Sequence, residues 1–139
     1  MYKYLVLSLV AVSTVVGCGG SNKSNNDHSP PKLLSSPELL EGEALVYIST
    51  GSKQCQNNGM SHNVTAQLLI DKGVDVISSH CGDITGLLVP AACGADTLEI
   101  NLHTINSQNI PDAQNEGFEP VSKLSERIGV GYQVIECKG

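Results

Sequence analysis

The chain has 139 residues, with 8 Lys and Arg against 14 Asp and Glu, 40% hydrophobic and 4% aromatic residues, which suits one modest domain. A formal net charge of −6, with the basic residues scattered singly, excludes a nucleic-acid phosphate surface and a polybasic membrane patch. There is no Trp, and past Tyr4 the only aromatics are Tyr47, Phe118 and Tyr132, so stacking platforms for bases or sugars are poorly supplied and small, uncrowded ligands are the class that fits.

Met1-Tyr2-Lys3-Tyr4 carries one positive charge, and Leu5 to Val16 is an uncharged apolar run of secretory-signal length, too short for a comfortable membrane span. It ends in Val15-Val16-Gly17-Cys18, which resembles the lipobox of bacterial lipoproteins: an aliphatic residue three positions before the cysteine and a small residue just before it. The resemblance implies diacylglycerol transfer to the Cys18 thiol, cleavage that removes residues 1–17, and acylation of the new amino group by a fatty acid such as palmitate. Several acyl chains, at about 0.8 kcal/mol per buried methylene, hold a soluble domain on a bilayer. It also implies a lipid-anchored protein of the cell membrane or outer membrane, with its domain facing the periplasm or the cell exterior. In a host with two membranes, Gly19 in place of Asp favours the outer one by the same resemblance. Loss of Lys3, one of 8 basic residues, leaves 7 against 14 acidic residues in the mature chain.

Residues 18–43, rich in Gly, Ser, Asn and Pro, read as the lipidated cysteine and a flexible tether. About two dozen such residues hold a domain roughly 25–30 Å from the bilayer on average. Leu33-Leu34 and Leu39-Leu40 suggest one short amphipathic turn docked on the domain, limited by Pro37. The triplets Asn22-Lys23-Ser24 and Asn63-Val64-Thr65 match the glycosylation pattern, which in a bacterial lipoprotein is a chance match.

The folded domain spans residues 44–139. Ala44 to Thr50, rich in β-branched and aromatic residues and ended by Gly51, predicts a first strand. Asn63 to Gly73 changes period: Val64 with Leu68, and Ala66 with Ile70, stand four apart and set an apolar stripe on a helix, with Ser61 or Asn63 as its cap and Lys72-Gly73 at its end. Val74 to Ser79 follows at once as a second strand, completing a βαβ unit. Gly82 to Asp96 reads as a loop in which Leu87-Leu88-Val89 adds a brief strand. Thr97 to Ile105 alternates, with Leu98, Ile100 and Leu102 on the core face and Glu99, Asn101 and His103 on a solvent face, so one face alone is expected to be buried. A short helix over Pro111 to Glu116, capped by Asn109, and a last strand over Val130 to Cys137 complete the chain. The order β-α-β-β-α-β predicts an α+β two-layer sandwich of ferredoxin-like type, with two helices on one face of a four-stranded antiparallel sheet and Val64, Leu68, Val76, Leu98, Ile100 and Leu102 in its core.

Apart from Cys18, the chain holds Cys55, Cys81, Cys93 and Cys137, an even number in an exported protein, and disulfides that stabilise a small domain are the default reading. The proposed strands gather Cys55, Cys81 and Cys93 at one end of the sheet and Cys137 at the other. Cys55–Cys81 is then the favoured bridge, with Cys55–Cys93 as the fallback. Cys93–Cys137 would complete the favoured set only with the last strand reversed relative to the ferredoxin-like order, so cysteines and topology disagree. Cys81-Gly82 and Cys93-Gly94 read as two tight turns.

No Cys-x-x-Cys, His-Glu-x-x-His, Gly-x-Ser-x-Gly or phosphate-cradling loop occurs, so the sequence specifies neither a molecular activity nor a catalytic residue, cofactor or metal. The best polar constellation is Ser78 to Gly82 at the second strand's end, with His80 and Asp83 converging on the loop that carries Gln54 and Asn57, a speculative binding surface. His80 cannot activate Cys81, because neighbouring strand residues point to opposite faces. As soft ligands, His80, Cys81, Cys93 and His62 or His103 match no recognised zinc spacing, and oxidation removes the thiolates.

The run Gln54-Cys55, the pattern AxxLxxxGVDVxSxxCG from Ala66 to Gly82, PAxCG from Pro90 to Gly94 and the alternating strand resemble a small exported domain of uncharacterised bacterial proteins, over roughly residues 45–124; the resemblance implies no chemistry. Two readings follow. The first is a membrane-anchored envelope lipoprotein whose domain is a non-catalytic binding module, with the membrane and an envelope protein as partners and no nucleic acid. The alternative is a thiol-based redox or metal-dependent envelope protein centred on Cys55, Cys81 and Cys93.

Overall fold

The computed structural model describes residues 33–56 and 58–138; the expected signal peptide, Cys18, the first part of the tether and Asn57 lie outside the described residues. The strands are β1 (Leu33–Leu34), β2 (Glu43–Ser49), β3 (Val76–Thr85), β4 (Glu99–Asn106), β5 (Glu119–Pro120) and β6 (Gly131–Ile135). The helices are α1 (His62–Ile70), α2 (Ile110–Asn115) and α3 (Ser122–Ser125). Four long strands, in the order β6-β3-β4-β2, are flanked by the two-residue strands β1 and β5, and every neighbouring pair is antiparallel. The fold is α+β with an antiparallel sheet, as expected.

The βαβ unit is present. β2 and β3 both run antiparallel to β4, so they are parallel to each other with β4 between them, and α1 makes the crossover. A ferredoxin-like order would set the last strand beside the first; here β6 lies beside β3, on the other side of the sheet. The physical reason lies in Gly82 to Thr85, which extend β3 where a loop was expected. They give β3 a ten-residue edge on which β6 pairs from Thr85↔Gly131 to Cys81↔Ile135. Gly82 makes that pairing feasible: a Cβ there would stand 2.7 Å from the Gln133 carbonyl oxygen and 2.9 Å from Leu102 Cδ1. It is therefore a close-approach glycine within a strand, whereas Gly94, at φ +87°, does occupy a turn.

The sheet is buried on both faces, and this corrects the single-faced reading of the third long strand. On one side Val46, Leu69, Val74, Ile105, Ala113 and Phe118 form a cluster beneath α1 and α2. On the other, Leu45, Ile100, Leu102 and Val134 pack with Tyr47, Ile84, Val121 and Tyr132 beneath the segment that carries α3 from the β5 edge to β6. β4 is consequently enclosed from Ile100 to Ile105, and Asn101 and His103, expected in solvent, are 2% and 0% exposed.

α1 is rolled by one residue from the predicted stripe. Thr65 and Leu69 are its buried pair, Leu68 is partly buried, and Val64 is 51% exposed. Ser61 is the cap, its hydroxyl accepting from the Val64 amide at 3.4 Å. The polar residues of β4 beneath the helix explain the roll, since they require a hydroxyl opposite them rather than a valine. Leu98 and Val76 are half-buried, and a register shift between Val76 and Ser78 leaves Ile77 exposed.

Three local expectations also change. Leu33-Leu34 join the sheet as an edge strand on β6 rather than docking as a turn. Leu87 to Val89 form no strand, and Leu88 is exposed. Asn109 makes no side-chain cap on α2; Asn106 instead accepts from the Gln108 amide to start the preceding 3-10 turn, while Pro111 sits in the first turn of α2 as expected. Among the described residues no helix is long and apolar enough to cross a membrane.

Candidate functional site

The four domain cysteines form two disulfides, Cys55–Cys93 and Cys81–Cys137, so the favoured Cys55–Cys81 pairing does not occur and the fallback partner of Cys55 does. Both outcomes follow from the strands. The loops after β2 and before β4 are zipped together by Gln54 N–H donating to Ala95 O, Gly94 N–H donating to Gln54 O, and a bridge between Lys53 and Asp96, which brings Cys55 opposite Cys93. Cys81 does not end its strand; it lies within β3, in register with Ile135. Cys137, two residues beyond Ile135, reaches the same face, and the two Cα atoms stand 5.1 Å apart. Cys137 lies level with Cys81, not at the far end of the sheet, because Gly82 to Thr85 lengthen β3 and β6 pairs along that extension, so the last strand ends beside the middle of β3. Closing 38 and 56 residues constrains the unfolded chain by about 4 kcal/mol each in the chain-entropy treatment.

One cysteine of each bridge, Cys55 and Cys81, lines a cleft of about 600 Å³ at the N-terminal end of α1. Its floor is β3 and β4 at Cys81 and Asn101, one wall is the loop from Ser52 to Met60, and the other is the C-terminal segment around Glu136 and Lys138. Asn101 fixes the entry to the helix: its amide donates to the Met60 carbonyl at 2.9 Å, while the Met60 amide donates to the Thr50 carbonyl. His62, the first residue of α1, therefore stands over Cys81, with Nδ1 3.6 Å from Sγ, and Asn101 Oδ1 is 3.9 Å from the same sulfur.

Charge in the cleft is largely paired. Lys53 bonds Asp96 and Lys138 bonds Glu99, the second bond holding the ammonium above its ordinary pKa. Both pairs are substantially exposed and contribute little to stability, so their effect is to order the walls. Asp83, in register with Glu99, has its carboxyl raised chiefly by burial, with Glu99 adding to the rise and a hydrogen bond from Gln133 opposing it.

Deeper under α1, His103 is fully buried. Nδ1 lies 2.8 Å from Ser79 Oγ and Nε2 lies 2.8 Å from Thr65 Oγ1, and the Phe118 ring meets the imidazole edge-on at 5.8 Å. Burial, with His62 and His80 adding like charge, lowers its pKa to about 4, so the ring is neutral at pH 7.

Of the speculative binding residues, Gln54 lines the cleft and donates to the Pro90 carbonyl. His80 lies on the opposite face of the sheet from Cys81, in register with Leu102, and Asp83 shares the face of Cys81 but stands outside the cleft lining. Asn57 lies outside the described residues. The cysteine set Cys55, Cys81 and Cys93 is divided between two bridges, and the residue gathered with Cys81 is Cys137. Asn101 and Lys138, which no sequence motif marks, also line the cleft. The signal for Asn101 is its place beside His103 on the polar positions of an alternating strand, which sits opposite a helix that carries Thr65 among its apolar residues. The chain matches no protein-family model, no curated protein and no solved structure.

Proposed function

We propose that this chain is a lipid-anchored envelope protein, attached through Cys18, whose domain is a non-catalytic recognition module that binds an envelope component in the cleft at the start of α1. The observation that carries this reading is the placement of the two disulfides, one tying the Ser52–Met60 wall of the cleft through Cys55 and the other tying the C-terminal segment to the floor at Cys81. They hold the Ser52–Met60 loop and the Glu136–Lys138 segment before any ligand arrives, and a preformed surface spends less ordering entropy on binding. Amides, paired charges and an imidazole around a half-apolar floor suit a polar partner surface, such as a peptide segment of an envelope protein. The residues between Cys18 and the edge strand that begins at Leu33 would give the domain its reach from the bilayer.

The test has two parts. Fatty-acid labelling should mark the wild type and not Cys18→Ser; equal label in both would sink the anchor. A photo-crosslinking side chain at Gln56, on the cleft rim, should give a discrete adduct in intact envelopes, and the same group at Ile70, at the far end of α1, should not. Equal capture at both positions, or none at either, refutes the cleft as the binding surface.

A further inference from the structure

We propose that the Cys81–Cys137 bridge is the oxidised form of a thiolate–imidazole metal site, completed by His62, that takes a zinc-like d10 cation once a dithiol opens the disulfide. This goes beyond the recognition reading and does not depend on it. Among the described residues, this is the one group in which three such donor atoms, His62 Nδ1, Cys81 Sγ and Cys137 Sγ, lie within 4.8 Å of one another. The three residues come from different parts of the chain: the first turn of α1, the middle of β3 and the segment after β6. Each is half-buried, and His62 and Cys81 line the open cleft, so a reductant and a hydrated ion both have a path to them.

The donor spacing suits the ion. Bonds of about 2.3 Å to sulfur and about 2.0 Å to nitrogen at tetrahedral angles set donors roughly 3.3–3.8 Å apart. His62 Nδ1 and Cys81 Sγ already stand 3.6 Å apart. The two sulfurs need only separate after the S–S bond breaks, through side-chain rotation and a shift of the short segment beyond Ile135. Imidazole orientation is supplied by α1, whose start is pinned by Asn101 through the Met60 carbonyl. The fourth position opens to the cleft, where water or a ligand oxygen would sit.

The chemistry balances in two steps. A dithiol attacks the bridge by thiol–disulfide exchange, leaving as a cyclic disulfide while Cys81 and Cys137 become thiols; two electrons and two protons pass from the dithiol to the protein. The divalent cation then displaces the two thiol protons and binds two thiolates and the neutral imidazole. Cys55–Cys93 shares no such imidazole cluster among the described residues, so the inference assigns the two bridges different roles.

The experiment titrates zinc into the full chain against a chromogenic chelator, before and after reduction with a phosphine, and follows folding by far-ultraviolet circular dichroism. One equivalent should bind to the reduced wild type and to reduced Cys55→Ser/Cys93→Ser, and none to the oxidised chain. His62→Ala should weaken binding at least about tenfold. Cobalt in place of zinc should give thiolate charge-transfer absorption that Cys81→Ser/Cys137→Ser abolishes. A reduced chain that loses structure and regains it with zinc, only when His62 is present, also supports the site. Absence of zinc binding in the reduced chain, folded or not, overturns the proposal, as does binding that survives His62→Ala unchanged or persists in Cys81→Ser/Cys137→Ser.

Discussion

Acidification should test the buried polar layer beneath α1 directly, because one side chain dominates its response. His103 is fully enclosed, and both its ring nitrogens are engaged by hydroxyls, Ser79 on one side and Thr65 on the other. In the unfolded chain its pKa is 6.5, and in the fold it is about 4. Between those values the unfolded state holds a proton that the native state does not, so stability falls as pH drops below about 6.5 and levels off below about 4. At 1.36 kcal/mol per pH unit, the full loss is about 3 kcal/mol, a large part of the stability of a small domain. Asp83 works in the opposite sense. Its raised folded pKa means that the native state takes up a proton more readily on acidification, which offsets part of the loss. His103→Gln separates the two, since glutamine keeps one donor and one acceptor near Ser79 and Thr65 but does not titrate, while Asp83 is common to both proteins. Urea denaturation with disulfides intact, at steps from pH 7 to pH 4, should show the wild type losing about 3 kcal/mol more than His103→Gln. Profiles that stay parallel within about 0.5 kcal/mol would refute the argument that burial holds this imidazole neutral.

Three further outcomes follow from the packing. Leu69→Ala, in the cluster under α1, should cost about 2–5 kcal/mol while Val64→Ala on the exposed side of the same helix costs under about 0.5; comparable denaturation midpoints would reject the observed roll of α1. Gly82→Ala should destabilise by about 1–3 kcal/mol, because the added methyl meets the Gln133 carbonyl across the β3–β6 pair, and an unchanged thermal midpoint would place β6 elsewhere. Proteolysis without reduction should release one linked pair of peptides holding Cys55 with Cys93 and another holding Cys81 with Cys137, and a Cys55–Cys81 species as the main product would contradict the strand order.

The local sequence was enough for what depends on neighbouring residues. The change of hydrophobic period between Ala44–Thr50 and Asn63–Gly73, with Ser61 available as a cap, determined a strand followed by a helix, and Val74 onward determined the return strand. An even number of cysteines in a chain read as exported determined that bridges form. That His80 and Cys81 point to opposite faces followed from strand geometry alone. Pairing between distant segments was decided only in three dimensions. β6 lies beside β3 because Gly82 tolerates its backbone at contact distance, a fact about Gln133 and Leu102 that no local pattern carries. That one choice moved Cys137 across the sheet and, with it, selected the disulfide partners. Asn101 and His103 were polar residues on an alternating strand, and alternation reports the spacing of polarity, not what covers it. The helix above them supplies Thr65 and the loop leading into it supplies the Met60 carbonyl, and it is this tertiary satisfaction of hydrogen bonds that turns an apparent solvent face into buried structure.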